Sequence, residues 1–428
     1  MVYGRVAKRM ILSVLLFERG FCEKIKKSVI SFTKYFILSN VNSLLITSAN
    51  NISSPEVVLF HMNGDSATFE RNNFPIRFTE GTRSTPATAT FPSQNLVDAF
   101  QTVNGYPVTL TDNGWKCEDP AFNPQNPYAN RDPRFGRTIL ANGMTFKGSE
   151  IAVYKGGSDY TSVSEGGSPT GYFLRKYIQE TTSFEADKEV VNKHHWIVYR
   201  YAETLLTYAE SMVMAFKNPQ YTNSDFPKSA EWTLNEVRIN AGMPTVSITD
   251  PNEFMKALQN EWRVEFAFED HRFWDIRRWQ IGEDTQKELY GDRVNPQRAA
   301  NFGASKAEEG ILAYLFRNPD HLGRILSEVD EDAFVTDFNR QLFRIMKEKL
   351  QTNNGVSLSD FAEELSPEQM ARLTAIVNQE TPNSETALSD YVRALSEYKM
   401  RDESRHAGEL SVEELQNVAE RIRQQKKK

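Results

Sequence analysis

The stretch Glu261–Gly282, EWRVEFAFEDHRFWDIRRWQIG, restricts the fold more than any other part of the chain. Glu261, Glu265, Glu269 and Asp270 stand against Arg263, Arg272, Arg277 and Arg278, threaded with Trp262, Trp274 and Trp279. Glu261, Glu265 and Glu269 recur at i, i+4 and i+8, so a helix places them on one face. Arg272 follows Glu269 by three residues and Arg278 follows Asp275 by three, spacings at which helical side chains pair. Upstream, ITDPNEF supplies a start: Asp250 as N-cap, Pro251 at the first helical position and Glu253 completing a capping box. That helix is expected to run on through the tryptophan-rich stretch. A retaining glycosidase needs two carboxyl groups ~5 Å apart, one with a raised pKa. Acids with an arginine in reach are held ionised instead. These charges are therefore read as a structural clamp, and no catalytic residue is assigned.

At 428 residues the chain has room for two or three domains of ~150 residues each. Its net charge of −7 argues against direct nucleic-acid binding, which calls for a basic face. Cys22 and Cys117, the only two cysteines, exclude a disulfide framework and a cysteine-rich zinc site. No apolar run reaches the ~18 residues of a membrane-spanning helix. Residues 1–50 form a basic leader, signal-like or disordered: Arg5, Lys8 and Arg9 precede the apolar run Met10–Phe17. Glu18 and Arg19 follow at once, and Arg19 stands where a lipobox ending at Cys22 needs an aliphatic residue. There is no clear lipobox.

The two halves differ in style. All six tryptophans lie between Trp115 and Trp279, and after Gln297 only Pro319, Pro367 and Pro382 remain of the prolines. Residues 55–175, rich in Asn, Gly, Pro, Ser and Thr, read as loops and short strands. Helices are expected from about residue 195, where Ala202, Leu205, Leu206, Ala209, Met212, Val213 and Phe216 keep helical spacing until Pro219. SAEWTLNEVRINAG follows as a helix closed by Gly242. The change falls within Gly291–Ser305, giving 51–297 and 305–428 on either side of a junction at 298–304.

EWRVEFAFEDHRFWDIRRW resembles the signature of the SusD/RagB family, nutrient-binding lipoproteins of the bacterial outer membrane. FPSQNLVDAFQTVNGYPV, NPYANRDPRF, TGYFLRKYIQE, YRYAETLLTYAES and LNEVRINAG occur in family order, so the resemblance runs from about Pro55 to Asn295. It implies a mainly α fold, a loop-rich lobe with TPR-like helix pairs, and non-catalytic capture of an oligosaccharide without a cofactor. It further implies a SusC-type TonB-dependent transporter as partner and a surface-exposed place at the outer membrane. The family's N-terminal helical repeats and its segment after YGDRVN have no counterpart here. Sugar faces stack on aromatic rings, so the loop residues Trp115, Tyr128 and Tyr160 are the candidate carbohydrate contacts. The bland alternative, which buried aromatics favour, is that each packs within its own lobe.

The second half reads as a separate all-α bundle. Ser305 with Glu308 suggests a capping box, followed by Ile311, Leu312, Leu315 and Phe316. A helix from about Thr336 carries Leu342, Phe343 and Met346 and ends at Asn353–Gly355. Ser366-Pro367 with Gln369 caps another, Leu388, Val392 and Leu395 mark a third, and Ser411 with Glu414 caps a last one. The order of KAEEGILAYLFRNPD, EDAFVTDFNRQLFRIMKE, LSPEQMARLTAIVNQE and NSETALSDYVRALSEYK resembles the helicase-binding C-terminal domain of bacterial DnaG primase. That resemblance implies DnaB helicase as a partner of residues 305–428, with Leu415, Val418 and Ile422 as the contact stripe, in a cytoplasmic setting. The same stripe suits packing on its own bundle. Two such halves in one chain read as a chimera.

Other chemistry finds no footing. No Walker A, G-x-G-x-x-G or H-E-x-x-H sequence occurs. His194 and His195 are adjacent and point apart on any regular element, unlike the i, i+4 pairs of helical zinc sites. Asp112, Asp119 and Asp132 lack EF-hand spacing. No metal ligand is assigned.

Overall fold

The computed structural model describes residues 54–81, 89–111, 114–285, 289, 291–292, 296–353, 355–379 and 381–405. The architecture is mostly helical, and the described strands occur in two-stranded pairs. The helices, in chain order, are α1 Thr68–Asn73, α2 Gln94–Ala99, α3 Phe135–Thr138, α4 Tyr201–Phe216, α5 Ala230–Asn240, α6 Pro251–Glu265, α7 Arg272–Arg278 and α8 Gly282–Thr285. They continue as α9 Pro296–Arg317, α10 Leu322–Glu328, α11 Asp337–Thr352, α12 Pro367–Asn378 and α13 Glu385–Arg405. Among the described residues no helix is long and apolar enough to cross a membrane. The chain divides into two compact units. The first takes in residues up to Val108 with Arg131–Ser149 and Asp159–Asp292; the second takes in Thr109–Asn130, Glu150–Ser158 and the chain from Arg293 onward.

In the first unit, Val57–His61 pairs antiparallel with Trp196–Arg200, Phe60 opposite Ile197. The chain around residue 195 is thus a β-strand, and the helix begins only at Tyr201. Branched and aromatic Trp196, Ile197, Val198 and Tyr199 favour the pleated form, which the helical spacing downstream concealed. On α4, Ala202, Leu206 and Ala209 are fully buried, and Leu234 on α5 and Phe254 and Leu258 on α6 meet them in one core. Each such leucine or phenylalanine contributes about 1.5–3 kcal/mol on leaving water. The small alanines let the helices approach closely. Gly242, at φ +79°, ends the turn after α5. Asp250 caps α6, its carboxylate accepting from Asn252 N and Glu253 N at 2.9 Å each, but the expected box does not close, because the Glu253 carboxylate pairs with Lys256 at 2.8 Å.

The tryptophan-rich stretch is not one helix. α6 ends at Glu265, and Phe268 and Asp270 take left-handed backbone (φ 62° and 64°) before α7 starts at Arg272. The bend turns Glu269 off the helix face, so Glu269 and Arg272 do not form the expected helical pair. The Arg278–Asp275 pair does form, at 2.8 Å.

The second unit is built on the expected apolar stripes. Ile311, Leu312 and Leu315 from α9 share one core with Leu342, Phe343 and Met346 from α11, Leu373 and Ile376 from α12, and Leu388, Val392 and Leu395 from α13. Where α9 and α13 cross, Gly310 lies against the Tyr391 ring: a Cβ there would stand 2.7 Å from the ring carbons. Ser366 and Gln369 close a reciprocal capping box on α12. The box expected at Ser305 and Glu308 does not exist, because α9 starts nine residues earlier, at Pro296. Glu308 is buried inside α9 and instead accepts from Thr336 N at 3.2 Å and Asn339 Nδ2 at 2.8 Å, near the start of α11. The Ser411–Glu414 cap lies outside the described residues.

Candidate functional site

The carboxylates of the tryptophan-rich stretch are engaged by basic residues from distant segments. Arg134 Nη1 reaches Glu261 at 2.5 Å and Glu265 at 2.8 Å, while its Nη2 holds Asp132 at 2.7 Å. Arg238 takes the other Glu261 oxygen at 3.0 Å. Arg200 grips Glu269 through Nε and Nη2 at 2.9 Å each and reaches Glu265 at 2.6 Å and Glu56 at 2.8 Å. Lys176 Nζ adds a bond to Glu269 at 2.7 Å and one to the Glu265 carbonyl at 3.1 Å. Every one of these side chains is buried. Buried charges survive only when paired and hydrogen-bonded, and this network satisfies that condition.

The electrostatics follow. Burial pushes the Glu269 carboxyl up, but Arg200 and Lys176 outweigh it and hold the pKa at about 2. Burial likewise opposes ionisation of Glu265, and Arg200 with Arg134 overrides it downward. Burial pulls Arg134 down, and Asp132, Glu261 and Glu265 push it well above its ordinary value. Neither Glu265 nor Glu269 is a carboxylic acid kept protonated for donation to a leaving group. Sequence reasoning identified the clamp but assigned its cations to the wrong residues. Arg134 and Arg200 sit inside the motifs NPYANRDPRF and YRYAETLLTYAES, and only folding shows that both reach the same acids.

The candidate sugar contacts separate by unit. In the second unit, Trp115 lies on the strand Gly114–Cys117, paired with Val108–Thr111. Its ring meets Tyr128 edge to face, centroids 5.7 Å apart and planes at 80°. Tyr128 in turn contacts Phe302 of α9 at 6.1 Å. Both Trp115 and Tyr128 are half-buried. The loop between them is shaped by its own side chains: Asp119 accepts from Ala121 N at 2.9 Å and Asn123 from Gln125 N at 3.0 Å. Such turns fix a loop without a sheet or helix to carry it. Asn123 and Asn126 then anchor it on Glu309 of α9 at 2.7 and 3.2 Å. These asparagines escaped the sequence reading, because nothing local distinguishes a loop amide that reaches a helix far along the chain.

Tyr160 belongs to the first unit and is 50% exposed, beside Asp159, which Arg77 clasps through both carboxylate oxygens at 2.9 and 3.0 Å. Leu415, Val418 and Ile422 lie outside the described residues. His194 and His195 diverge: the first pairs with buried Glu70 at 2.9 Å, the second meets Phe60. Among the described residues no group of three or more His, Cys, Asp or Glu is arranged to hold a metal.

Comparison with known proteins agrees with this architecture. The SusD family profile matches residues 55–357, extending past the junction expected at 298–304 and beyond the end of α11. A SusD-like protein from Bacteroides fragilis shares 25% identity over 66% of this chain and 55% of its own length, with a TM-score of 0.50. A SusD-like carbohydrate-binding protein from the same organism shares 23% identity over 62% of this chain and 50% of its own, TM-score 0.46. A surface glycan-binding protein A from Bacteroides uniformis shares 18% identity over 65% and 47%, TM-score 0.33. The chain thus spans about half the length of the solved relatives it matches. No curated protein matches it. With more than half of its residues under one family profile and a SusD-like arrangement of helices, the chain belongs to the SusD family.

Proposed function

We propose that this protein binds a glycan without cleaving it, as the surface component of a SusC-type uptake system at the outer membrane. The observation that carries the reading is the edge-to-face pair of Trp115 and Tyr128 on a loop anchored to α9. An edge-to-face contact leaves both faces of one ring uncovered by the other, which suits stacking on a pyranose. The clamped state of Glu261, Glu265 and Glu269 supports a binding role over a hydrolytic one. Tyr160 is proposed as a further contact on grounds of exposure.

The test is retention of oligosaccharides from a mixed glycan array by the full chain. Trp115→Ala with Tyr128→Ala is expected to abolish retention, and Tyr160→Ala to weaken it. Retention unaffected by the double substitution would exclude this site. Pull-down of a SusC-type transporter from outer-membrane extracts tests the partner, and protease treatment of intact cells tests surface exposure.

The self-contained apolar core between Ala304 and Leu395 favours one second reading, a helical interaction module. Under it, residues 305–428 bind DnaB-type helicase through Leu415, Val418 and Ile422. Co-purification of helicase with the full chain, lost on Leu415→Asp, supports this reading, and its absence removes it.

A further inference from the structure

At the end of α7 the first unit carries an open surface hollow of about 300 Å³, lined by Ile276, Arg277, Gln280, Gly282 and Glu283. That is the lower end of ligand-pocket size, suited to one ring and not to a chain. The lining is chemically mixed. Ile276 offers an apolar floor and Glu283 a carboxylate that only accepts. Gln280 both donates and accepts, and its left-handed backbone (φ 58°) sets where its side chain departs from the helix end. Neither the Gln280 amide nor the Glu283 carboxylate makes a hydrogen bond among the described residues. Arg277 spends Nη1 on the Phe273 carbonyl at 2.6 Å, and its guanidinium lies over the Phe273 ring, 3.4 Å from the centroid. That contact fixes the guanidinium and leaves its other N–H groups free to donate. Phe273 itself is 53% exposed.

Donors, an acceptor and a mixed group around a small apolar floor match a ligand that alternately donates and accepts around one ring. One cation and one anion on the lining cancel, so a charged ligand gains no net attraction. We propose that this hollow is a separate subsite for a single neutral sugar ring, with Arg277, Gln280 and Glu283 meeting its hydroxyls. The inference rests on the glycan-binding reading but uses residues distinct from Trp115 and Tyr128.

The experiment titrates the full chain with a neutral hexose, with glucuronate and with glycine, following the Ile276 δ-methyl resonance. Neutral hexose is expected to shift that resonance saturably. Gln280→Ala and Glu283→Ala, both solvent-facing and checked by circular dichroism for intact fold, should each weaken it roughly five- to tenfold, the worth of one hydrogen bond. Trp115→Ala should leave it unchanged. A shift with glucuronate or glycine but not hexose, or a hexose shift indifferent to both substitutions, overturns the proposal. If oligosaccharide is retained through Trp115 and Tyr128 while Ile276 never responds, only the subsite falls. If neither probe binds, the glycan reading falls with it.

Discussion

Arg200 holds Glu269 with two parallel hydrogen bonds of 2.9 Å, and the two residues come from segments 69 positions apart. The planar fork of the guanidinium matches a carboxylate in a way that lysine does not. Because Arg200 also carries Glu265 and Glu56, it ties the strand Val57–His61, the strand Trp196–Arg200 and the bend after α6 to one point. Replacing Glu269 with Leu leaves Arg200 and Lys176 short of a counter-charge in a buried site, and is expected to cost about 3–5 kcal/mol. Urea unfolding of the first unit, followed by tryptophan fluorescence, measures it. Arg200→Lys should cost less than Arg200→Met but still lose the two-point grip.

The same pair sets an acid limit. Glu269 titrates at about 2 in the folded chain, against ~4.3 when unfolded. Because the folded value is the lower, the stabilisation is complete above ~pH 4.5 and disappears as pH falls toward about 2, amounting to ~3 kcal/mol from this group. Denaturation midpoints measured across that interval should fall steeply. In a Glu269→Gln variant, already less stable, the slope should be shallower.

Tyr199 and Tyr208 define an alkaline limit. Burial lifts both phenols, to about 12 each. The unfolded phenol ionises near ~10, so their contribution is present below that pH and is lost as pH rises through the folded values. Phenolate absorbance should show these two tyrosines titrating later than the exposed ones, and urea resistance should decline over the same range.

Two glycines on α9 give opposite expectations for one change. Gly310→Ala drives a methyl into Tyr391 and should destabilise the second unit by about 1–3 kcal/mol. Gly303→Ala meets nothing within 4 Å and should stabilise the helix by about 1 kcal/mol, the gap between the two residues' helix propensities. Thermal melts of both variants decide the matter. If the two lost the same stability, the close crossing of α9 and α13 would be wrong.

Much of this architecture was legible in the sequence. The stripes of Leu205, Leu206 and Ala209, and of Ile311, Leu312 and Leu315, state which faces are buried, and the caps at Asp250 and Ser366 state where helices start. The errors share one cause. Helical spacing continued past Glu265 and backward through Trp196, yet Phe268 and Asp270 turn left-handed and Trp196 pairs with His61. Both outcomes depend on partners distant in the chain: Lys176 and Arg200 for Glu269, and the strand from Val57 for Trp196. Ser305 and Glu308 spelled a cap and became helix interior for the same reason, since Asn123 and Asn339 satisfy them from elsewhere. For the candidate sugar contacts, residue type and loop composition point alike to Trp115, Tyr128 and Tyr160, and the structure pairs only the first two. Their edge-to-face meeting depended on how the loop closes on α9.

The second unit draws its material from three separate stretches, Thr109–Asn130, Glu150–Ser158 and the chain beyond Arg293. Dividing the gene where the sequence changes style would therefore strand Asn123 and Asn126 away from Glu309, and Tyr128 away from Phe302. A product ending before α9 would carry two orphaned loops with polar and aromatic faces laid open to water, so the loop of Trp115 and Tyr128 and the distal helices have to be inherited together.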